Sequence, residues 1–277
     1  MSGSLIVIGT PIGNLGDMSP RAVAMLQDVD FIAAEDTRVT VKLLNHFGIK
    51  KPMISYFEHN KLQKGEYIVE RILSGETCAL VSDAGMPAIS DPGEELVSQC
   101  HANNINVTVI PGPCAFASAL AISGLPTGRF TFEGFLSVNK KSRQAHLAAI
   151  KKESRTMVFY EAPHKLLRTL ADLHRTLGNR RVSIVRELTK IHEEIILMTL
   201  QEAIAKYGSS APKGEFVLVV EGCKEELLQK EKMSLEEAIK LAVALLDENC
   251  TASEAAKQIA RSSGLKKSDI YKGLIDL

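Results

Sequence analysis

Tryptophan is absent from this chain of 277 residues, and aromatic residues make up only 5% of it. Binding that relies on extensive base stacking is therefore not expected. Charge of one sign is not in excess either: 33 basic residues balance 33 acidic ones, so only local clusters can speak for a polyanionic partner. Cysteine is sparse. Cys78, Cys100, Cys114, Cys223 and Cys250 form no Cys-x-x-Cys pair, and an odd count in a chain this long is no disulfide framework. Free, buried thiols in a reducing cytoplasm are expected. No apolar run is long enough to span a bilayer. The longest small-apolar stretch, residues 114–125, contains Ser118, Ser123 and Gly124 and reads as a buried helix. The opening Met1-Ser2-Gly3-Ser4 has no charged segment, so no signal peptide is expected. The Gly-x-x-x-x-Gly-Lys-Ser/Thr pattern is missing, which excludes a P-loop, and Gly-x-Gly-x-x-Gly is missing after the first strand. His59 and His164 each lack a second histidine or cysteine at metal-ligand spacing, so no metal is expected.

What is present is a set of glycine- and proline-rich turns, each behind a short apolar run. Leu5 to Ile8 leads into Gly9-Thr10-Pro11-Ile12-Gly13-Asn14-Leu15-Gly16. The run 77–81 leads into Ser82-Asp83-Ala84-Gly85-Met86-Pro87-Ala88-Ile89-Ser90-Asp91-Pro92-Gly93. The run 107–110 leads into Pro111-Gly112-Pro113-Cys114-Ala115. In an open α/β sheet, ligands bind at the carboxyl ends of the strands, where backbone N–H groups converge. One such turn is ordinary structure; three on one sheet describe a bed for a small molecule.

The rest of the pattern alternates. Strands are expected at 5–8, 31–34, 53–56, 77–81 and 107–110, with helices between them, which predicts a mostly parallel sheet. A second α/β region follows, with strands at 130–135, 156–160, 182–185, 194–200 and 216–220. Its last three strands lack long helices between them, so part of this sheet is expected to be antiparallel. Residues 224–233 are charged and read as a linker. Beyond them, Ser234-Leu235-Glu236-Glu237 and Thr251-Ala252-Ser253-Glu254 are capping boxes, Gly264 ends a helix and Ser268 is expected to cap another. This tail resembles a helix-turn-helix or serves as a packing appendage. The expected division is 1–112, 113–223 and 230–277: two α/β domains and a small helical one.

Several segments together carry a family resemblance. They are Thr10-Pro11-Ile12-Gly13-Asn14-Leu15, Ala34-Glu35-Asp36-Thr37-Arg38, Ser82-Asp83-Ala84-Gly85, Ser90-Asp91-Pro92-Gly93, Pro111-Gly112-Pro113, Phe135, Phe159-Tyr160-Glu161-Ala162-Pro163-His164, Arg186-Glu187-Leu188-Thr189-Lys190 and Lys213-Gly214-Glu215-Phe216. They resemble the ribosomal RNA small subunit methyltransferase I family of the tetrapyrrole methylase superfamily. Met86, Ala88 and Cys114 depart from its usual Thr, Leu and Ser. The resemblance implies two α/β domains with S-adenosylmethionine in the cleft between them. It also implies methyl transfer to a cytidine ribose 2′-hydroxyl in the decoding region of small-subunit rRNA, by a homodimer.

On this reading, Pro11, Ser82, Asp83, Ala84, Gly85, Met86, Ile89, Cys114, Ala115, Ala162 and Pro163 hold the handles of the cofactor, largely through their backbone. The resemblance adds Tyr160, Gly214 and Glu215. Asp83 takes the ribose hydroxyls or attracts the sulfonium. A ribose hydroxyl is a poor nucleophile, so a base is sought among Glu35, Asp36, Glu161 and Glu187, with Arg38, Arg186 and Lys190 as charge partners. Asp36, Glu187, Arg38 and Lys190 are the expected catalytic group. Asp36 also reads as a plain helix N-cap. Two basic clusters suit RNA phosphates: Arg129, Lys140, Lys141, Arg143, Lys151, Lys152 and Arg155, and in the tail Lys257, Arg261, Lys266, Lys267 and Lys272. A corrin- or porphyrin-precursor methylase and a non-enzymatic nucleic-acid-binding regulator are the competing readings. The tail and the Glu35-Asp36-Thr37-Arg38 block favour RNA over the first, and the three turns oppose the second.

Overall fold

The computed structural model describes residues 3–209, 212–223, 234–246 and 250–276. The expected linker at 224–233 lies outside them, as does Glu248, near which the sequence places the end of the helix opened by Ser234. The chain forms two compact units, Met1–Glu221 and Gly222–Leu277. Among the described residues no helix is long and apolar enough to cross a membrane.

The first unit holds two sheets. In the first, β1 (Ser4–Ile8), β2 (Phe31–Ala34), β3 (Met53–Ser55), β4 (Cys78–Val81) and β5 (Asn106–Ile110) run parallel in the order β3-β2-β4-β1-β5. Helices α1 (Pro20–Asp28), α2 (Thr37–His46), α3 (Lys61–Leu73) and α4 (Glu94–Ala102) make the crossovers. Both faces are covered, so β2 and β4 are buried at every position and read as unbroken apolar runs. Successive side chains feed opposite cores. Leu5, Val7, Phe31, Ala33, Cys78 and Leu80 pack on one face, and Ile6, Ile8, Ile32, Ala34, Ala79 and Val81 on the other. The expected caps are in place: Ser19 Oγ accepts from Ala22 N–H with Pro20 at the first helical position, and Asp36 caps α2.

The strand order reverses at the centre of this sheet, and the carboxyl ends of β1 and β4 are zipped together there. Thr10 and Gly85 exchange backbone hydrogen bonds of 2.9 and 3.0 Å, and Thr10 Oγ1 donates to Ser82 O at 3.1 Å. The turns after β1 and β5 meet back to back. A Cβ on Gly112 would lie 2.8 Å from Gly9 Cα and O, so both positions need glycine for backbone-on-backbone approach.

In the second sheet, β6 (Phe130–Phe135), β7 (Thr156–Glu161), β8 (Arg181–Arg186), β9 (Glu194–Thr199) and β10 (Phe216–Val220) lie in the order β6-β7-β10-β8-β9. Only β6 and β7 are parallel, with a register slip between Phe132 and Gly134; the other pairs are antiparallel, so the sheet is partly antiparallel as expected, although only β8 and β9 are joined by a short connection. Helices α5 (Ala115–Ile122), α6 (Lys140–Ala149), α7 (Leu166–Leu177) and α8 (Leu200–Gly208) complete the unit. The α7 side buries Met157, Phe159, Leu170, Leu173, Ile184 and Leu218. The α5 side buries Ala119, Leu120, Val158, Val185, Val217 and Val219.

The second unit contains α9 (Leu235–Leu246), α10 (Ala252–Ser263) and α11 (Lys267–Ile275). Ser234 and Glu237 cap α9 reciprocally, Thr251 and Glu254 cap α10, and Gly264 ends α10 in the left-handed region. Its core is small: Ala238, Ala242, Ala255, Ala256, Ile259 and Ile270. Ser268 is not the cap of α11. The helix starts at Lys267, two residues earlier than a Ser268 cap requires, behind Lys266, and the Ser268 hydroxyl turns to the Asp269 carboxylate.

Candidate active site

A cavity of about 450 Å³ opens between the two sheets of the first unit. The turn after β4 supplies Ala84, Gly85, Met86, Ile89, Ser90 and Asp91, and the start of α5 supplies Cys114 and Ala115. The end of β7 supplies Tyr160, Glu161, Ala162, Pro163 and His164. Ile12, Phe135, Val185, Leu188, Glu215, Phe216 and Val217 close it. The volume suits a ligand of nucleoside size, and the lining is mainly apolar with a few convergent polar groups.

The backbone around the cavity is held in uncommon conformations. Among the described residues, non-glycine positions in the left-handed region are Ala88, Ser90, Asn104, Glu187 and Thr189. Four of these five lie in the two loops that flank the cavity, after β4 and after β8. Backbone strain of this kind persists only where surrounding contacts enforce it. On the β4 side, Gly85 (φ 84°) and the Thr10 bridge hold the turn. On the β8 side, Glu187 and Glu215 hold each other: Glu187 N–H donates to Glu215 O at 3.0 Å, and Glu215 N–H donates to Glu187 Oε1 at 2.9 Å. A Cβ on Gly214 (φ 93°) would strike the Glu187 carboxylate.

Two side chains from β7 tie the cavity wall to its surroundings. Tyr160 Oη accepts the N–H of Phe116 at 3.0 Å, satisfying one of the orphan donors at the start of α5. Burial pushes the Tyr160 phenol up to about 12, so it stays protonated. Glu161 is almost fully buried; its carboxylate accepts from Ala162 N–H at 2.9 Å and from the Thr169 hydroxyl. Thr169 in turn accepts from Arg143 at 2.8 Å, and Arg143 pairs with Asp172 at 2.8 Å.

Carboxylates dominate the polar part of the site. Asp91 is pushed up to about 7, first by burial and then by the charges of Glu35 and Asp83; a hydrogen bond from Ser82 opposes the rise. Burial also raises Glu35 and Asp83 from their ordinary values. Asp36 behaves oppositely. Arg38 grips it through Nε and a terminal nitrogen, and these bonds bring it down to about 2. Glu187 is lowered too, chiefly by the Lys190 ammonium 2.9 Å away. Lys190 also donates to Glu215 Oε2 at 2.9 Å.

Of the expected cofactor residues, Ala84, Gly85, Met86, Ile89, Cys114, Ala115, Tyr160, Ala162, Pro163 and Glu215 line the cavity. Pro11, Asp83 and Gly214 are each next in sequence to a lining residue, and Ser82 is two positions from one. Asp36, Arg38, Glu187 and Lys190 do not line it: Asp36 is hydrogen-bonded to Asp83 and Arg38, outside the lining, whereas Glu187 and Lys190 bond to Glu215, which lines it. The cofactor expectation omitted Ile12, Ser90, Asp91, Phe135, Glu161, His164, Val185, Leu188, Phe216 and Val217. Ile12, Ser90, Asp91, Phe135, Glu161, His164, Leu188 and Phe216 belong to the segments that carry the family resemblance, so motif membership already pointed to them. Val185 and Val217 are ordinary strand residues that only the facing of the two sheets brings to the cavity.

The family model described as Tetrapyrrole (Corrin/Porphyrin) Methylases matches residues 4–204. The chain is 48% identical over 276 residues to ribosomal RNA small subunit methyltransferase I of Synechocystis sp., covering 99% of this chain and 98% of that one. It is 47% identical over 220 residues to the protein of the same name from Thermotoga maritima, covering 79% of this chain and 99% of that one. Among solved structures, uroporphyrin-III C-methyl transferase from Thermus thermophilus, complexed with S-adenosyl homocysteine, shares the fold. Its TM-score is 0.54 at 16% identity, covering 78% of this chain and 97% of that one. The chain belongs to the tetrapyrrole methylase family and, within it, to the ribosomal RNA small subunit methyltransferase I family.

Proposed function

We propose that this protein transfers a methyl group from S-adenosylmethionine to small-subunit 16S ribosomal RNA, at the ribose 2′-hydroxyl of a cytidine in the decoding region. The observation that carries this reading is the nearly full-length match to a relative named ribosomal RNA small subunit methyltransferase I. The cavity fits the donor chemically. Its apolar wall of Ile12, Met86, Ile89, Val185, Leu188 and Val217 suits an adenine ring, and Asp91, Glu161 and Glu215 suit a cation. S-adenosylmethionine supplies an electrophilic methyl group on a sulfonium. The backbone of Ala84, Gly85, Cys114, Ala115 and Ala162 orients the donor and excludes water around it, with Pro11, Ser82, Asp83 and Gly214 fixing those segments from behind.

The acceptor hydroxyl must be held in line with the methyl group, and positioning alone contributes roughly 7–11 kcal/mol to such a step. Asp36 and Glu187 are ionised at neutral pH, with Arg38 and Lys190 beside them. We assign these four to the acceptor: the carboxylates receive the hydroxyl hydrogen bond, and the cations steer the flanking phosphates. The proton released when the hydroxyl oxygen is methylated passes to a carboxylate or to solvent.

The helical unit serves the substrate rather than the cofactor. The Thermotoga maritima relative is matched almost completely by 220 residues, the size of the first unit, so the family's chemistry does not depend on a counterpart of the second. A homodimer in the cytoplasm, with a boundary near residue 112 between the two α/β regions, completes this reading. Incubating the protein with methyl-labelled S-adenosylmethionine and either small ribosomal subunits or a porphyrinogen acceptor tests it. Label is expected in the RNA only; label in the tetrapyrrole overturns it.

A further inference from the structure

A second cavity, of about 540 Å³, lies on the outer side of the first unit between α6 and α7. Lys140, Arg143, Lys151, Arg168 and Arg175 line it against a single carboxylate, Asp172. The chain as a whole carries no net charge, so this is a concentrated positive field. Asp172 is shared by three guanidinium groups, at 2.8 Å from Arg143, 3.2 Å from Arg175 and 3.9 Å from Arg168. One carboxylate cannot neutralise three arginines and two lysines. It does engage all three arginines: the Arg143 side chain is 5% exposed, whereas Arg168 and Arg175 keep 60% and 77% of theirs in solvent. The floor is fixed and the rim is presented outward. The lining includes no aromatic residue, so a base has nothing to stack on.

We propose that this groove binds backbone phosphates of the RNA substrate, as a docking surface separate from the methyl-transfer cavity. The proposal rests on the RNA reading given above. Arginine forks recognise phosphate bidentately, and a groove that offers charge without stacking reads backbone and shape, not sequence. It also redraws the basic cluster expected from sequence. In that cluster Arg155 is committed to Glu153 and Arg143 is buried, while the exposed arginines of the groove come from α7, far along the chain. The groove is not independent of the reaction cavity: Arg143 in its floor donates to Thr169, which donates to Glu161 in the cavity wall.

The test is a variant carrying Lys140→Gln, Lys151→Gln, Arg168→Gln and Arg175→Gln, compared with the unaltered protein. Arg143 and Asp172 are left intact, so the groove floor remains. Binding to small ribosomal subunits and to naked rRNA is measured across a salt series, alongside calorimetric binding of S-adenosylmethionine. The expected result is weaker RNA binding by roughly an order of magnitude, with the log–log salt slope flattened by about 0.7–0.9 for each phosphate the variant no longer neutralises. KM for the subunit should rise, with kcat and cofactor affinity unchanged. Wild-type RNA affinity and slope in the variant would overturn the proposal. So would loss of binding to subunits with naked rRNA binding intact, which would make the groove a site for ribosomal protein. If the unaltered protein methylates no rRNA, the functional reading falls, and the groove is then judged on the RNA-binding arm alone.

Discussion

Asp83 Oδ1 accepts the backbone N–H of Asp36 at 3.1 Å, tying the turn after β4 to the N-terminus of α2. Asp83 N–H donates back towards Glu35 at 3.4 Å. Asp83 is therefore placed to hold the Ala84–Gly85–Met86 wall without lining the cavity itself. Asp83→Ala should weaken S-adenosylmethionine binding by about five-fold, corresponding to about 1 kcal/mol for one such hydrogen bond, and leave the protein folded. Asp83→Asn, which keeps an acceptor, should bind nearly normally. Calorimetry separates the two; equal affinity in Asp83→Ala and the unaltered protein removes Asp83 from the site.

Asp91 titrates at about 7, far above an unfolded aspartate. If the ionised form is the one that holds the sulfonium cation, the ionised fraction falls about ten-fold from pH 8 to pH 6, and affinity falls with it. Binding of S-adenosylhomocysteine, which lacks that charge, should not show this dependence, and Asp91→Asn should abolish it. The stability effect has the opposite sign. The folded-state value is raised, so the favourable contribution is complete below about pH 4 and is lost as pH rises through 7. Asp91→Asn should therefore melt higher than the unaltered protein at pH 8 and close to it at pH 4.

Asp36 and Glu187 are each paired with a cation and lowered in pKa, which suits an orienting acceptor better than a strong base. Single-turnover rates decide. A carboxylate acting as base should lose roughly 10²–10⁴-fold as its amide, with cofactor affinity kept. Asp36→Asn should cost little stability, because asparagine caps a helix about as well. Near-normal rates in both Asp36→Asn and Glu187→Gln would leave positioning to carry the step.

Thr169 joins two buried charges, accepting from Arg143 and donating to Glu161. Thr169→Val fills the same space and removes both bonds. It should destabilise the protein by about 1–3 kcal/mol, read from denaturant unfolding. Arg143→Met removes the charge and leaves Asp172 its exposed arginine partners.

Much of this architecture is legible along the chain. The strands of the first sheet are buried on both faces, so they stand out as short apolar runs, and the glycine- and proline-rich turns mark their carboxyl ends. The caps at Ser19, Asp36, Ser234 and Thr251 are local signals and fall where the residues point. What is not legible is what depends on distant partners. Val185 and Val217 look like any strand residue until β8 and β10 pair. Asp91 looks like a turn aspartate until burial and the neighbouring carboxylates raise it. Arg143 reads as one more surface cation on a basic helix, yet it is buried against Asp172, 29 positions away.

The most direct measurement combines the protein, methyl-labelled S-adenosylmethionine and small ribosomal subunits from a strain lacking its gene, followed by mass mapping of the 16S rRNA. One added methyl per RNA is expected, on a decoding-region cytidine, with the phosphodiester beside it resistant to alkali because its 2′-hydroxyl is blocked. Unlabelled RNA, or label on a base with the adjoining bond still cleaved by alkali, would contradict it.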